Sequence, residues 1–279
     1  MQIARKLAKL ILFASLAATS AADHFSATRQ SERRHSIYVQ LSEQIYPISL
    51  EDGRPHPEFK WPSKEKQRQI RSQLQNLVRE EIGAVLANTE ATTNVLKKAV
   101  VALQGENNLG KAWPRGEGGN VPFVQSFELD GITTLVVGYS VAFGGLAIPQ
   151  SDPYLEFYQK IDGIWTFKAK SPIDAAFDGS SFDISWVVSG VAGQAWLLAW
   201  RKTFGDPSCS LSVRLLAFDG MHASRIWSQD KLIHGEVSVS KASIQLSFDK
   251  EYHSRFRVEE ALKVTPAGLH VASRKTVFQ

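Results

Sequence analysis

The chain has 279 residues, with 32 Lys+Arg against 28 Asp+Glu, 43% apolar residues and one cysteine. This composition excludes the collagen-like, disulfide-rich and grossly disordered classes, and the length suffices for a core without staples. The single Cys209 removes an internal disulfide framework and a cysteine-based zinc site, while a formal charge of +4 invites a nucleic-acid or membrane-surface reading.

The N-terminus decides that question. MQIARKLAK carries Arg5, Lys6 and Lys9 and no acid, and the nine residues LILFASLAA that follow are too few to span about 30 Å of hydrocarbon as a helix. Thr19-Ser20-Ala21-Ala22 then supplies small residues before Asp23. A basic segment, a short apolar run and a small-residue cleavage site predict a secretory signal peptide over 1–22, cut after Ala21 or Ala22. The mature protein is therefore expected in the periplasm or outside the cell, with no transmembrane segment left after cleavage. Losing three cations leaves 29 Lys+Arg against 28 Asp+Glu, split 14 to 12 before Pro122 and 15 to 16 from there on. Neither half is a polycation, so no nucleic-acid partner is expected.

Residues 23–62 read as a flexible or irregular lead. DHFSATRQSERRHS lacks periodicity, IYVQL (37–41) fits a short strand, and Pro47, Pro55, Pro57 and Pro62 mark loop. A helical hairpin is predicted over 63–108. Ile70, Leu74, Leu77, Val78, Ile82 and Val85 recur at helical spacing after a Pro62-Ser63 start signal. Val95, Leu96, Ala99, Val100 and Leu103 mark the second helix. GKAWPRGEGGN falls in a Gly-rich linker over 109–121 and lacks the GxxxxGK[ST] spacing that cradles phosphate.

Across 122–279 the apolar period becomes two. Leu135, Val137, Tyr139 and Val141 alternate in one segment, and Phe182, Ile184, Trp186 and Val188 in another. Asp-Gly pairs stand at Asp130-Gly131, Asp162-Gly163, Asp178-Gly179 and Asp219-Gly220, and Asp-Gly favours the type I′ turn because both central residues need positive φ. The strands group into three antiparallel units of four, with matched glycines Gly163, Gly220 and Gly268 spaced 57 and 48 residues apart. Such units resemble β-propeller blades. The first two units are apolar on both faces and so require cover on both. The third alternates Ile244, Leu246 and Phe248 with Ser243, Gln245, Ser247 and Asp249, as a terminal unit with one wet side would. The expected fold is mainly β with an N-terminal helical hairpin and three blade-like units, the alternative being a β-sandwich-like stack. Three blades are too few for a closed single-chain propeller, which leaves an open stack under the helices, closure through a second chain as a homodimer, or a sandwich.

Chemistry is sparse. FELDGITTLVVG is similar over a dozen residues to the calcium-loop repeats of integrin-type propellers. Ile132, Thr133 and Thr134 stand where that loop places acids, so calcium is not implied and Asp130-Gly131 reads as a hairpin turn. The histidines at 24, 35, 56, 222, 234, 253 and 270 form no HxH or HExxH, and no metal or cofactor is expected. GYSVA (138–142) lacks the final glycine and the strand-to-helix turn of a nucleophile elbow. Glu259 and Glu260 are neighbours on a strand and so face opposite ways. Cys209 has no histidine matched to it. Trp186, Trp196 and Trp200 are the ligand-binding candidates, as a stacking platform for sugars, although the same residues suit an inter-sheet core. The function expected is that of a secreted, non-catalytic binding or scaffolding protein for an unknown protein or glycan partner. The alternative is a secreted hydrolase acting on an extracellular polymer such as polysaccharide.

Overall fold

A computed structural model describes residues 28–45, 60–88, 92–104, 123–144, 149–171, 181–187, 193–203, 210–240, 243–252, 254–265 and 268–278. The signal segment, the 109–121 linker, Cys209 and the Asp178-Gly179 turn lie outside them.

The helices begin where capping chemistry permits. In α2 (Lys64–Leu86) the Ser63 hydroxyl accepts from Lys66 N, and Ile70, Leu74, Val78 and Ile82 are buried one turn apart. In α3 (Thr93–Gln104) the Thr92 hydroxyl accepts from Val95 N, and Leu96, Val100 and Leu103 are buried. A further helix, α1, spans 28–43, where an irregular lead and a short strand at 37–41 were expected. Its buried stripe is Tyr38, half-buried Leu41, Ser42 and Ile45, spaced three and four apart. Polar groups complete that face: Ser31 Oγ and Arg34 Nε donate to the Glu81 carboxylate at 2.9 and 2.6 Å, and His35 Nδ1 lies 2.8 Å from Leu103 O. Few of the stripe's positions are apolar, so hydrophobic periodicity alone is faint here.

Among the described residues, eleven strands form two antiparallel sheets. The first has the order β1 (Phe123–Leu129), β2 (Ile132–Gly144), β3 (Pro149–Ile161), β4 (Ile164–Lys170). Its tight turns have the expected geometry, with positive φ at Asp130 (50°) and Gly131 (75°) and at Asp162 (50°) and Gly163 (81°). The third turn differs. Only Gly220 has positive φ, and the Asp219 carboxylate shapes the loop by accepting from Met221 N and His222 N at 2.9 and 2.6 Å.

The second sheet is a seven-strand meander: β5 (Ser181–Val187), β6 (Ala195–Thr203), β7 (Ser210–Phe218), β8 (Ala223–Ser240), β9 (Ser243–Asp249), β10 (Phe256–Thr265) and β11 (Gly268–Phe278). Here the expectation of three separate four-stranded units needs revision. The eighteen-residue β8 pairs with β7 through its first half and with β9 through its second, so the second and third sets of strands are one sheet. Between the halves the register slips, and Lys231 and His234 adopt positive φ. At Gly235 a Cβ would sit 2.5 Å from Leu211 Cβ, which makes glycine necessary for the close crossing. The described strands form no closed ring.

The layers are held by three apolar clusters. Leu135, Val137, Tyr139, Val141 and Tyr158 meet the helices. Val136, Leu155 and Phe157, on the opposite face of the first sheet, meet Leu197, Ala199, Leu216 and Phe218 of the second, where the rings of Phe157 and Phe218 stack at 4.3 Å. Trp196, Leu198, Val213 and Leu215 cluster with Ile244, Leu246, Phe248, Val258 and Leu262. Burying each such aliphatic or aromatic side chain contributes about 1.5–3 kcal/mol. The first sheet is thus covered on both faces. The terminal strands bury Ile244, Leu246 and Phe248 and leave Gln245 exposed. No helix among the described residues is long and apolar enough to cross a membrane.

Candidate functional site

Among the described residues, two regions each gather several charged and polar side chains, and their surroundings set them apart. The first lies between α2 and the first sheet. Residues 154, 156 and 158 of β3 share the helix-facing side, which places Glu156 in an apolar layer with no solvent exposure. Its Oε1 accepts from Arg79 Nε and Nη2 at 3.1 and 2.7 Å, from Tyr139 OH at 3.0 Å and from Gln75 Nε2 at 3.4 Å. Its Oε2 accepts from Tyr158 OH at 2.6 Å. The guanidinium of Arg79 also lies 4.3 Å from the Phe167 ring centre.

Burial, reinforced by the Glu156 charge, pushes both the Tyr139 and Tyr158 phenols well above the usual tyrosine range. Burial disfavours the charged form of Arg79, but the hydrogen bond and charge of Glu156 outweigh it and raise the guanidinium's pKa. Each oxygen of the carboxylate is engaged by donors. The cluster is a structural pin between helix and sheet.

The second region is the second half of β8 with β9, β10 and β11. Cross-strand register sets its side chains in rows. Glu236, Ser247, Glu259 and Lys275 form one row, and Ser238, Gln245, Ala261 and Ser273 a second on the same face. Between them, on the opposite face, lie Val237, Leu246, Glu260 and Arg274. An open groove of about 870 Å³ lies at this level, and its lining includes Trp200 of β6, Glu236, Gln245, Glu259, Glu260 and Lys275. That volume falls within the range of roughly 300–1,000 Å³ typical of small-molecule sites.

Every carboxylate of the groove has its own cation. Glu236 pairs with Arg257 at 2.9 Å and Glu259 with Lys275 at 2.8 Å, while Glu260 Oε2 stands 3.8 Å from Arg274 Nε. The last separation is too long for a hydrogen bond. Glu260 is 7% exposed, and its Oε2 is buried with no hydrogen-bond partner. Beside the groove, Arg257 also bonds Asp249 Oδ1 at 3.2 Å, and Asp249 Oδ2 lies 2.6 Å from His234 Nδ1. Among the described residues no group of three or more His, Cys, Asp or Glu could hold a metal ion.

The tryptophan candidates separate. Trp196 is buried in the core, with Nε1 donating to Gln194 Oε1 at 3.2 Å. Trp200 is half-buried and lines the groove. Position 186 pairs with Leu197, so the register places it on the sheet face opposite positions 196 and 200. The described side chains do not include that of Trp186. Glu259 and Glu260 fall in adjacent rows on opposite faces, as the strand period requires. Residues 138–142 run through β2, paired with β3 throughout and with β1 at Gly138, with no strand-to-helix turn.

Sequence reasoning passed over Glu236, Gln245 and Lys275. The period-two exposure of Glu236 and Gln245 was visible in GEVSVSK and SIQLSFD, but only the register of four strands aligns them with Lys275. Glu156 left one signal, a lone acid between Leu155 and Phe157 in an apolar strand.

No protein-family model matches the chain, and no significant match was found among curated proteins or solved structures.

Proposed function

We propose that the protein is a secreted, non-catalytic binding module whose recognition site is the groove over β8–β11. The observation that carries this reading is a groove lined with hydrogen-bonding side chains whose carboxylates are each matched by a cation. Such a lining recognises a ligand through many polar contacts and supplies no isolated acid or base. Secretion to the periplasm or beyond rests on the 1–22 pattern. Of the expected folds, the β-sandwich-like stack is compatible with two packed sheets, the second of which runs unbroken from β5 to β11.

The test is direct. Polymers from the extracellular matrix are incubated with the full chain and assayed for retention and for new chain ends. Retention without cleavage is expected, reduced by Gln245→Ala. Release of new ends, or retention untouched by that variant, overturns the proposal. N-terminal sequencing of exported protein is expected to begin at Ala22 or Asp23.

One observation favours a hydrolase as the second reading. Glu236 and Glu259 share a row two strands apart, about 10 Å between backbones at the usual strand spacing. Inverting glycosidases hold their carboxyl pair roughly 6.5–9.5 Å apart. Against it, both carboxylates are ion-paired and substantially exposed, unlike the shielded carboxyl that serves as a general acid. Glu236→Gln would abolish cleavage under this reading, whereas under the first there is no cleavage for it to abolish.

A further inference from the structure

A second surface lies at the end of the larger sheet. We infer that β11 is a strand-addition site whose occupant is an extended peptide segment alternating apolar and acidic residues. The inference stands apart from the groove, since Gln245 and Trp200 take no part in it.

β11 is the longest of the four strands that end the two sheets, eleven residues against seven in β1, β4 and β5. At about 3.3 Å per residue it runs roughly 35 Å. It pairs with β10 along its length, and among the described residues no strand pairs with its other side. Strand capture uses such an edge: main-chain groups supply affinity, and alternating side chains supply specificity. Protected edges are often short or carry proline. β11 carries none, and its register shift opposite Ala261 and Leu262 leaves Ser273–Phe278 in unbroken pairing.

The register fixes what each face of an added strand meets. On the core-facing side, Val271 extends the row of Val239, Ile244 and Leu262, yet it is 59% exposed where Ile244 and Leu262 are buried. Phe278, 65% exposed, stands opposite Phe256 on the same side, their rings edge to face at 5.6 Å. The apolar layer therefore reaches the edge uncovered. On the wet side stand His270, Ser273 and Lys275. His270 lies beside Lys263 in a row completed by Ser243 and Ser240, and that row contains no carboxylate.

Charge then separates the possible occupants. β11 contains His270, Arg274 and Lys275 and no acid. Antiparallel pairing with a second copy of β11 brings these basic groups against the same set, and cations on an edge guard against such self-pairing. An acidic strand meets the opposite balance. Its carboxylates fall beside Lys263, His270 and Lys275 on the wet side, while its alternate apolar residues cover Val271 and Phe278. Both faces of the added strand are then matched.

The experiment is calorimetric titration of the full chain, with amide hydrogen exchange, using a decapeptide that alternates valine and glutamate. A valine–lysine decapeptide tests charge, and two versions of the acidic peptide, N-methylated along one edge or the other, test main-chain pairing. Binding is expected to slow exchange within Gly268–Phe278. One methylated peptide is expected to bind as the parent does, and the other, like the valine–lysine peptide, roughly tenfold more weakly or worse. Combining Lys263→Ala with His270→Ala is expected to raise Kd several-fold at an unchanged melting temperature, because both side chains are exposed. Equal binding of the two methylated peptides or of the basic peptide, a double variant that binds as the wild type does, slowed exchange confined to other strands, or no binding overturns the proposal. Self-association that slows exchange in β11 without peptide gives the edge to a second copy and overturns it too.

Discussion

Glu156 and Glu260 are both buried carboxylates on β-strands, and their surroundings satisfy them unequally. Glu156 accepts hydrogen bonds from four side chains of α2, β2 and β3, and has none of its surface in water. Glu260 stands in the row of Val237 and Leu246 on the core-facing side of β10, and keeps one oxygen without a donor. A buried polar group costs free energy unless it is hydrogen-bonded. The first arrangement is therefore complete in itself and fixes the helices on the sheet. The second is incomplete, with Arg274 Nε 3.8 Å away. Burial of an acid does not by itself mark a site.

The strongest way to break this comparison is to remove the partner of Glu156. Arg79→Ala leaves a fully buried carboxylate without its cation, and such losses cost about 3–5 kcal/mol. Chemical denaturation is expected to show that drop, with ligand binding unaffected in the protein that remains folded. Next in size is Gly235→Ala. The added Cβ collides with Leu211 at the β8 crossing, and overpacking of this kind costs about 1–3 kcal/mol. Because the crossing positions Glu236 and its row, this variant is expected to lower both the melting temperature and ligand affinity.

The phenols of Tyr139 and Tyr158 sharpen the first half of the comparison. Their folded pKa values lie above the unfolded value of about 10. The stability they contribute is fully present below pH ~10 and is lost as pH rises towards the folded values. Spectrophotometric titration is expected to show two tyrosines ionising only with alkaline unfolding, and Tyr139→Phe to remove one of them.

The smallest effect belongs to Asp219. Hydrogen bonds from the backbone N–H groups of His222 and Met221 hold its carboxyl below the ordinary range. Its contribution is present above the unfolded pKa near 3.9 and fades as pH falls through the lower folded value. The group is nearly half exposed, so Asp219→Ala is expected to move the melting temperature only slightly at neutral pH, and still less in acid.

The fold was legible where local rules dominate. Ser63 begins a helix because its hydroxyl caps Lys66 N, and Asp130-Gly131 turns a hairpin because both residues accept positive φ. The alternation of Trp196, Leu198 and Trp200 with Leu197 and Ala199 correctly implied cover on both faces of β6. Helix α1 escaped notice because its inward face is partly polar, its contacts being ion pairs and hydrogen bonds to residues some fifty to seventy positions away. The continuity of β8 escaped for a related reason, since a bend made by Lys231, His234 and Gly235 reads locally as a break. The site was the least legible part. Glu236, Gln245, Glu259 and Lys275 meet only through the register of four strands, and Trp200 joins them from a fifth. No spacing rule within one segment encodes that meeting.

The most direct measurement is the affinity of a retained extracellular polymer for three folded proteins: the wild-type chain, Gln245→Ala and Arg79→Ala. The account predicts that Gln245→Ala weakens binding roughly tenfold, about 1.4 kcal/mol, while Arg79→Ala binds as the wild type does despite its lower stability. Equal weakening by both variants, or none by Gln245→Ala, would contradict it.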